Sequence, residues 1–503
     1  MSSSSNQVYG GDEICAVVID PGSFTTNIGF SGSDYPQSIL PSCYGAITEI
    51  EDQQADHNKP DESAANNTEN ASKIKIRKVF NEQSVGYPRA NYEIKPIVQN
   101  GEVVDWDAAQ EQWSWALENE LFLKSNEGVP ALLTEPIWNT VENRKKSLEV
   151  LLEGMGFEAC YLSATPTCVS FAAGRSNCLV VDIGHDIISV SPVVDGMTFS
   201  KSTRRNVISG KYLNVLINDF LKPREIVPLF EIKQRKPTLV KKTFDFPIHD
   251  SLKTYANDRG IYQEIKEALC RVSPNSSLEK YKPELEKMSK RKYETLWNED
   301  IVFDNETIYG FGEQLFIPKE NDIPVDWNTS KDGIVETWHN DYIPLKRNKP
   351  AGTVKTDKEA TEELTPAVDN ATPSEDTNDN GKRPIGNEGE EKEKIIPGIV
   401  DLIESSINAA DVDLRTSLAH NVVLTGGTSC IPGLSDRILL ELNKRLPALK
   451  FRVLANGQTR ERQYQSWLGG SILSSLGTFH QLWVGKQEYE EIGADRLLTD
   501  RFR

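Results

Sequence analysis

Short apolar runs alternate with helix-length amphipathic segments along most of the chain. Residues 16–19, 179–181 and 422–424 are rich in Val and Ile and have the length of buried strands, and each leads directly into a glycine turn. Apolar side chains recur every three to four residues over 106–123 and 143–154, which predicts helices there. The pattern therefore indicates a mixed α/β fold.

Two segments of the chain repeat one pattern. Residues 16–30 (AVVIDPGSFTTNIGF) and 179–193 (LVVDIGHDIISVSPV) both run from an apolar strand through Asp-x-Gly into a returning strand. Each predicts a β-hairpin with an aspartate at its tip, and the repetition predicts a duplicated domain. Facing tips could hold phosphates on backbone N–H groups and a hydrated Mg²⁺ on Asp20 and Asp182. Ordinary turn chemistry is an alternative that the pattern leaves open.

A third glycine turn lies within residues 421–438, where a strand passes through Gly426, Gly427 and Thr428 into a helix. Its backbone could receive the sugar or purine side of a nucleotide, although such turns occur in many α/β proteins. The chain contains neither Gly-x4-Gly-Lys-Ser/Thr nor a Gly-x-Gly-x-x-Gly after a strand. P-loop and Rossmann sites are therefore excluded.

Composition narrows the range of partners. The 503 residues include 56 basic and 75 acidic side chains, a net charge of −19, which argues against direct DNA binding because nucleic-acid phosphates are repelled. The seven cysteines are scattered, so we expect reduced thiols without a disulfide framework or a zinc site. No apolar run approaches the roughly 20 residues of a membrane span, so no membrane partner is expected.

Two stretches break the α/β pattern. Residues 46–79 and 350–394 lack aromatic side chains and are rich in Asn, Asp, Glu, Lys and Thr. Such segments cannot bury enough apolar surface to offset the entropy of ordering them. Both are predicted to be disordered insertions.

The end of the chain carries the most specific motifs. They are Trp467-x-Gly469-Gly470-Ser471-Ile472-Leu473 and Trp483-x-x-Lys486-x-Glu488-Tyr489, and they follow the two Asp-x-Gly hairpins and the Gly-Gly-Thr turn in that order. This arrangement closely resembles the actin family. Within it, QVYGGDE at 7–13, LLTEPIWN at 132–139 and SKSTRRN at 200–206 resemble the nuclear actin-related proteins of fungi.

The resemblance implies a duplicated actin/sugar-kinase fold, which is ribonuclease H-like, with two lobes of two subdomains around a nucleotide cleft. Subdomain 1 would comprise 1–41, 96–172 and 465–503, and subdomain 2 would comprise 42–95 with the insertion at 46–79. Subdomain 3 would comprise 173–208 and 395–464. Subdomain 4 and its connection would comprise 209–349, followed by the acidic insertion at 350–394.

The resemblance also implies ATP as the cofactor, with an associated Mg or Ca ion. The residues that match the family's nucleotide site are Asp20, Gly22, Ser23 and Phe24 in the first phosphate loop, Asp182 and Gly184 in the second, Lys266 and Glu267 beside the adenosine, and Gly426, Gly427, Thr428 and Ile431 at the purine-side turn. Asp20 and Asp182 would lie nearest the metal. A solvated helix pair is the alternative interpretation of Lys266 and Glu267.

Several positions depart from the family's pattern. Asn27 replaces a phosphate-binding lysine, Phe24 replaces a loop glycine, and His185 and Asp186 follow Gly184 where an acidic residue and a glycine are usual. Thr165 stands where a glutamine orients the attacking water, and Ser189 replaces a histidine. Both water positioning and charge neutralisation are therefore weakened. We expect ATP to bind as a structural pin with negligible hydrolysis, or, as the alternative, Phe24 and His185 to exclude nucleotide.

The resemblance implies a nuclear, non-polymerising scaffold of histone acetyltransferase and ATP-dependent chromatin-remodelling complexes. Its implied partners are actin or another actin-related protein, a helicase-associated helix, and histones. The helix would dock near 171–174 and a helix at 473–483, unless those apolar residues are only interlobe core. The rivals are an ATP-hydrolysing filament former and a small-molecule kinase. The basic runs 144–146 and 233–236 could be import or nucleic-acid signals or only solvated surface.

Overall fold

Each of the two predicted hairpins forms part of a large sheet of its own. The computed structural model describes residues 15–51, 73–275, 277–325, 327, 333–334, 396–455 and 459–502, which all belong to one of the chain's two units. We call 15–51, 73–172 and 465–502 the first lobe, and 173–275, 277–325 and 396–455 the second lobe.

The strands have two to nine residues, and the helices have about one to four turns. The strands are β1 (Val17–Pro21), β2 (Thr25–Phe30), β3 (Ser38–Pro41), β4 (Cys43–Glu51), β5 (Lys73–Val79), β6 (Tyr92–Pro96), β7 (Val98–Gln99), β8 (Glu102–Val103), β9 (Pro130–Glu135), β10 (Ala159–Ala164), β11 (Cys178–Ile183), β12 (Ile188–Val194), β13 (Met197–Thr198), β14 (Arg204–Asn206), β15 (Ile232–Gln234), β16 (Val240–Lys241), β17 (Arg291–Glu294), β18 (Asp300–Phe303), β19 (Val422–Thr425), β20 (Val453–Leu454) and β21 (Val484–Gly485). The helices are α1 (Glu82–Val85), α2 (Trp106–Asn119), α3 (Val141–Glu149), α4 (Thr165–Ala172), α5 (Gly210–Leu221), α6 (Asp250–Asn257), α7 (Gln263–Ala268), α8 (Leu278–Leu285), α9 (Asn305–Glu313), α10 (Ile399–Ala409), α11 (Val412–Ala419), α12 (Leu434–Arg445), α13 (Thr459–Gln463), α14 (Gln465–Ser475), α15 (Lys486–Ile492) and α16 (Ala494–Asp500). The predicted helices at 106–123 and 143–154 correspond to α2 and to α3 with the π-helical turn Val150–Gly154.

The sheet of the first lobe has the order β21-β10-β9-β1-β2-β3. Strand β1 pairs antiparallel with β2 and parallel with β9. Val17, Val18 and Ile19 are completely buried, because helices cover both faces of this central strand. The apolar run that predicted a buried strand therefore lies in the middle of the sheet.

The sheet of the second lobe repeats this arrangement. Its order is β13-β12-β11-β19-β20, with β14 also paired to β12. Strand β11 pairs antiparallel with β12 and parallel with β19, as β1 does with β2 and β9. Asp20 opposes Asn27 in one hairpin, and Asp182 opposes Ser189 in the other. The predicted duplicated α/β fold is confirmed, whereas the four-subdomain boundaries stay a prediction.

Helices α4 and α14 cross where the two lobes join. A Cβ atom added to Gly469 of α14 would lie 1.7 Å from the carbonyl oxygen of Cys168 in α4, so only glycine permits this approach. The neighbouring Trp467 is fully buried, and its Nε1 donates a hydrogen bond of 3.1 Å to the Val18 carbonyl oxygen. The motif that begins at Trp467 therefore packs α14 against both α4 and the central strand β1.

The predicted disordered insertion at 46–79 is wrong at both ends. Strands β4 and β5 pair antiparallel in register from Gly45 with Val79 to Glu51 with Lys73. Ala46 and Ile47 are buried, and Lys alternates with Ile over 73–76 of β5, which is the two-residue period of a strand. An average over the whole polar stretch concealed this alternation. Residues 52–72 and the second predicted insertion, 350–394, lie outside the described residues.

All seven cysteines are free thiols, as expected from their spacing. Across the ranges that the structure covers, no helix is both long and apolar enough to cross a membrane.

The first residue of the basic run at 144–146 has a structural role and is not exposed as a signal would be. Arg144 is 2% exposed, and its Nε lies 2.7 Å from Oε1 of the buried Glu135. In the run at 233–236, Arg235 and Lys236 both form ion pairs with Glu294 on the surface of the second lobe.

Candidate functional site

A cavity of about 900 Å³ lies between the two sheets. The structure brings all twelve residues of the predicted nucleotide site to its walls: Asp20, Gly22, Ser23, Phe24, Asp182, Gly184, Lys266, Glu267, Gly426, Gly427, Thr428 and Ile431. They come from three glycine turns and one helix that are far apart in sequence. Whether they bind a nucleotide stays a prediction.

Asp20 is held by side chains from three parts of the first lobe. Its carboxylate accepts hydrogen bonds from Thr134 Oγ1 at 2.5 Å, Ser466 Oγ at 3.0 Å and Asn27 Nδ2 at 3.3 Å. Burial nevertheless raises the pKa of Asp20, outweighing these hydrogen bonds. Sequence analysis did not assign Thr134 or Ser466 to this site, because neither is near the hairpin along the chain.

Asp182 lies in the second hairpin, also on the wall of the cavity. Burial, followed by the negative charge of Asp20, raises the pKa of Asp182 to about 7. Asp20 and Asp182 are oxygen ligands of the kind that a divalent cation prefers, and such a cation would offset the effect of the Asp20 charge on Asp182. Within the described ranges, no group of three or more His, Cys, Asp and Glu could hold a metal by itself. A cation beside Asp20 and Asp182 would therefore need further oxygen ligands, which phosphates or water can supply.

The glycine turn after β19 packs directly on the second hairpin. Gly426 has φ of +86°, and a Cβ there would lie 2.4 Å from the Ile183 carbonyl oxygen and 2.5 Å from Oδ1 of Asp182. Thr428 Oγ1 donates a 2.8 Å hydrogen bond to the Gly184 carbonyl oxygen. The second and third turns therefore form one rigid wall of the cavity.

Helix α7 places Lys266 and Glu267 differently. Lys266 is 7% exposed, and its Nζ donates a 3.2 Å hydrogen bond to the Gly210 carbonyl oxygen. Burial lowers its pKa to about 8. Glu267 is exposed and accepts a hydrogen bond from Gln263. The solvated-pair interpretation fits Glu267 but not Lys266.

The departures from the family pattern form contacts of their own. The Phe24 ring lies 4.8 Å from the His185 ring between centroids, and the Arg259 guanidinium lies 4.0 Å from the Phe24 centroid. Burial and the charges of Lys266, Lys211 and Arg259 hold the pKa of His185 well below its usual range, so the ring is neutral. Sequence reasoning missed Arg259, since its helix gave no motif.

Gly22 and Ser23 of the first phosphate loop differ in whether they keep a hydrogen-bond donor free for an anion. Gly22 donates its backbone N–H to the Thr25 carbonyl oxygen at 3.1 Å, within its own turn. Ser23 Oγ accepts the Gly101 N–H at 2.9 Å, a bond that leaves the hydroxyl proton of Ser23 able to donate to an anion. Thr165 Oγ1 donates to the Glu135 carbonyl oxygen at 3.1 Å, which directs this hydroxyl toward the backbone.

The predicted helix at 473–483 is interrupted. Helix α14 ends at Ser475, Leu476 is extended, and a 3₁₀ turn follows at Gly477–Gln481. Glycine is a poor helix former and favours this break. Leu473 and Phe479 are buried core residues, whereas Leu476 and Leu482 are 40% and 46% exposed.

Comparison with known proteins agrees with this architecture. A family model described as Actin matches residues 11–502. Actin-related protein 4 of Saccharomyces cerevisiae is 62% identical over 512 aligned residues, covering all of both chains. Actin-related protein 4 of Eremothecium gossypii is 58% identical over the full length of both chains. The Schizosaccharomyces pombe protein of the same name is 33% identical over 97% of both chains.

Proposed function

The chain belongs to the actin family, and from that premise we propose that it is a nuclear, non-polymerising actin-related protein that binds ATP as a structural pin. In this proposal it hydrolyses ATP negligibly and acts as a scaffold and histone-binding subunit of histone acetyltransferase and ATP-dependent chromatin-remodelling complexes. The observation that carries the nucleotide part is the convergence of three glycine turns from both lobes on one cavity.

The residues present fit a nucleotide with a divalent cation. Asp20 and Asp182 would contribute the carboxylates that face a Mg or Ca ion, and Ser23 would donate its hydroxyl to a phosphate. Lys266 and Glu267 would lie beside the adenosine, and Gly426 to Thr428 would form the wall at the purine side. A bound ATP would offset the buried positive charge of Lys266 and would contact both lobes. It would therefore stabilise the folded protein by mass action.

Negligible hydrolysis is supported by two positions. Asn27 is buried and donates to Asp20, so the first loop presents an amide where a lysine would neutralise phosphate charge. Thr165 is shorter than the expected glutamine, and its hydroxyl donates to a backbone oxygen. Loss of one preorganised group can cost about 10²–10³ in rate.

The decisive experiment uses the purified full-length protein. We would denature it, identify the released nucleotide by chromatography, and follow a single turnover of radiolabelled ATP. Stoichiometric ATP with hydrolysis far slower than that of actin, measured in parallel, would support the proposal. Release of ADP with actin-like turnover would favour the rival ATPase, and absence of any nucleotide would favour the exclusion of nucleotide by Phe24 and His185.

Polymerisation is tested separately. Sedimentation with Mg²⁺ and ATP should leave the protein in the supernatant under conditions that pellet actin. Filaments in the pellet would contradict the non-polymerising part of the proposal.

Partner binding is proposed for the apolar surface beside α14. Leu476 and Leu482 are exposed there, next to buried Leu473 and Phe479, and could accept the apolar face of a helicase-associated helix. A double variant, Leu476→Asp and Leu482→Asp, should weaken capture of such a helix while histone binding remains. Ile492→Asp, at a similarly exposed site, is the control. Equal capture by all three proteins would exclude this surface.

A further inference from the structure

Two side chains of the second lobe contact Phe24, and a small residue at this position would make neither contact. We infer that Phe24 is an interlobe latch that holds the cleft closed at the hairpin tips without any bound ligand, and that it thereby limits exchange of the nucleotide. The closure does not depend on the proposed function, whereas the effect on exchange does.

The latch consists of three neighbouring side chains, which are Phe24, His185 and Arg259. Phe24 belongs to the β1–β2 turn of the first lobe, and His185 belongs to the β11–β12 turn of the second. Their rings lie 4.8 Å apart at an angle of 43°. On Phe24, the Arg259 guanidinium lies 4.0 Å from the ring centroid, and Arg259 Nη2 also donates to the Phe24 carbonyl oxygen. Two groups of one lobe thus hold the ring and backbone of a single residue of the other.

Arg259 is fixed in position by its own lobe. It lies in the π-helical turn Asp258–Tyr262 between α6 and α7, and Ile261 and Tyr262 of that turn are buried in the core of the second lobe. Its guanidinium also lies 3.7 Å from Glu82 of α1, in the first lobe. The backbone of the turn that carries Arg259 is therefore held by the core of the second lobe.

One turn of the first lobe connects both hairpin tips. The β7–β8 turn donates Asn100 N–H to Asp186 Oδ2 and Gly101 N–H to Ser23 Oγ, each at 2.9 Å. Asp186 is 7% exposed, so its bond to Asn100 forms in a low-dielectric environment where it is strong. The first lobe is therefore also hydrogen-bonded to the second lobe next to the contact between Phe24 and His185.

Helix α6, which leads into the turn that carries Arg259, also contacts the first lobe. Leu252 of α6 is 1% exposed and packs against Ile47 and Tyr92 of the first lobe. Nearby, Ile94 N–H donates to Ser251 Oγ at 2.9 Å. These contacts need no ligand, so several protein groups besides Phe24 also join the two lobes.

The first test is hydrogen–deuterium exchange of the full-length protein after nucleotide removal with a chelator and apyrase. We expect the segments 20–25, 98–103 and 182–188 to stay protected in the wild type and in Phe24→Tyr. In Phe24→Gly all three should exchange at least about tenfold faster. Tyr35→Gly removes an exposed aromatic from the first lobe and should leave these segments unchanged.

Equal exchange in wild type and Phe24→Gly, both stripped of nucleotide, would overturn the latch. Arg259→Met addresses the contact from the other lobe, and keeps the test valid should Phe24→Gly fail to fold. It should accelerate exchange at 20–25, and unchanged exchange there would also count against the latch.

The second test measures release of a fluorescent ATP analogue from the same proteins. Phe24→Gly should release it about tenfold faster than the wild type, and Phe24→Tyr should restore slow release. Identical release rates would overturn the control of exchange. If no variant binds the analogue, the proposed nucleotide function fails, while the exchange experiment on stripped protein still decides the latch.

Discussion

The carboxylate of Asp20 raises the pKa of Asp182 across the cleft, adding to the larger effect of burial. The two residues occupy equivalent positions in the two hairpins, so the duplication itself brings like charges together. A divalent cation between them would remove this repulsion. The pair therefore makes the stability of the protein depend on pH and on cations.

Asp182→Asn should abolish a pH dependence of the ion-free protein. The pKa of Asp182 is about 7 in the folded state, so the folded protein holds a proton that the unfolded chain releases near pH 4. The stabilisation is complete below that pH and is lost as the pH rises through 7, by at most about 4 kcal/mol. Thermal unfolding in a chelator at pH 5 and pH 8 measures it.

In that experiment the wild type should lose more stability than Asp182→Asn between the two pH values. Asp34→Asn, at an exposed carboxylate, should behave as the wild type. Parallel curves for wild type and Asp182→Asn would show that the buried pair does not titrate in this range.

Gly469→Ala should destabilise the protein severely. The added Cβ would lie 1.7 Å from the Cys168 carbonyl oxygen, and backbone on both sides must shift to relieve the overlap. We expect a loss of about 3 kcal/mol or more in denaturant unfolding. Gly477→Ala meets no heavy atom within 4 Å and should change stability little. A Gly469→Ala protein of normal stability would mean that α4 and α14 can move apart at little cost in free energy.

Arg437→Met should cost much more than the same change in an exposed pair. Arg437 is 1% exposed and lies 2.9 Å from Glu313 and 3.0 Å from Glu441. Its removal leaves two carboxylates without their cation in the core of the second lobe, at a cost of about 3–5 kcal/mol. Arg496, which pairs with Asp500 at the same sequence spacing but on the surface, gives the control Arg496→Met. Similar unfolding midpoints for the two variants would contradict this prediction.

Thr165→Gln should accelerate single-turnover hydrolysis if water positioning limits the rate. The glutamine would extend from the start of α4 into the cavity that Thr165 lines, and we expect a gain of about tenfold or more. Thr167→Gln on the same helix changes a residue that bonds Thr198 and should have no effect. A Thr165→Gln protein as slow as the wild type would assign the low rate to another defect, such as the amide at Asn27.

Local patterns were enough to predict the parts of the site that lie on the repeated hairpins. Asp20 and Asp182 are each placed by an apolar strand and a glycine turn, which are visible in a short window of sequence. The contact of Arg259 with Phe24 depends on a helix 235 residues further along the chain, and no local pattern encodes such a distance. The hydrogen bonds of Thr134 and Ser466 to Asp20 were not predicted for the same reason.

The errors have an equally physical origin. Strands β4 and β5 bound a polar segment, and their alternation was lost when the whole stretch was judged by composition. Arg144 sits in a basic run, yet its guanidinium is buried against Glu135, so charge alone did not indicate exposure. The break at Leu476 and Gly477 interrupts an apolar periodicity that continued on either side.

The antiparallel pairing of β4 with β5 gives the protein an attachment point for probes. Glu51 and Lys73 are register partners, so whatever joins them starts and finishes on adjacent strands. Since the entropy of closing a loop grows only with the logarithm of its length, doubling that length costs about 0.6 kcal/mol. Inserting a fluorescent protein or an affinity label between Glu51 and Lys73 should therefore change the free energy of unfolding little. The length of sequence between these two strands can therefore vary while β4 and β5 keep their register.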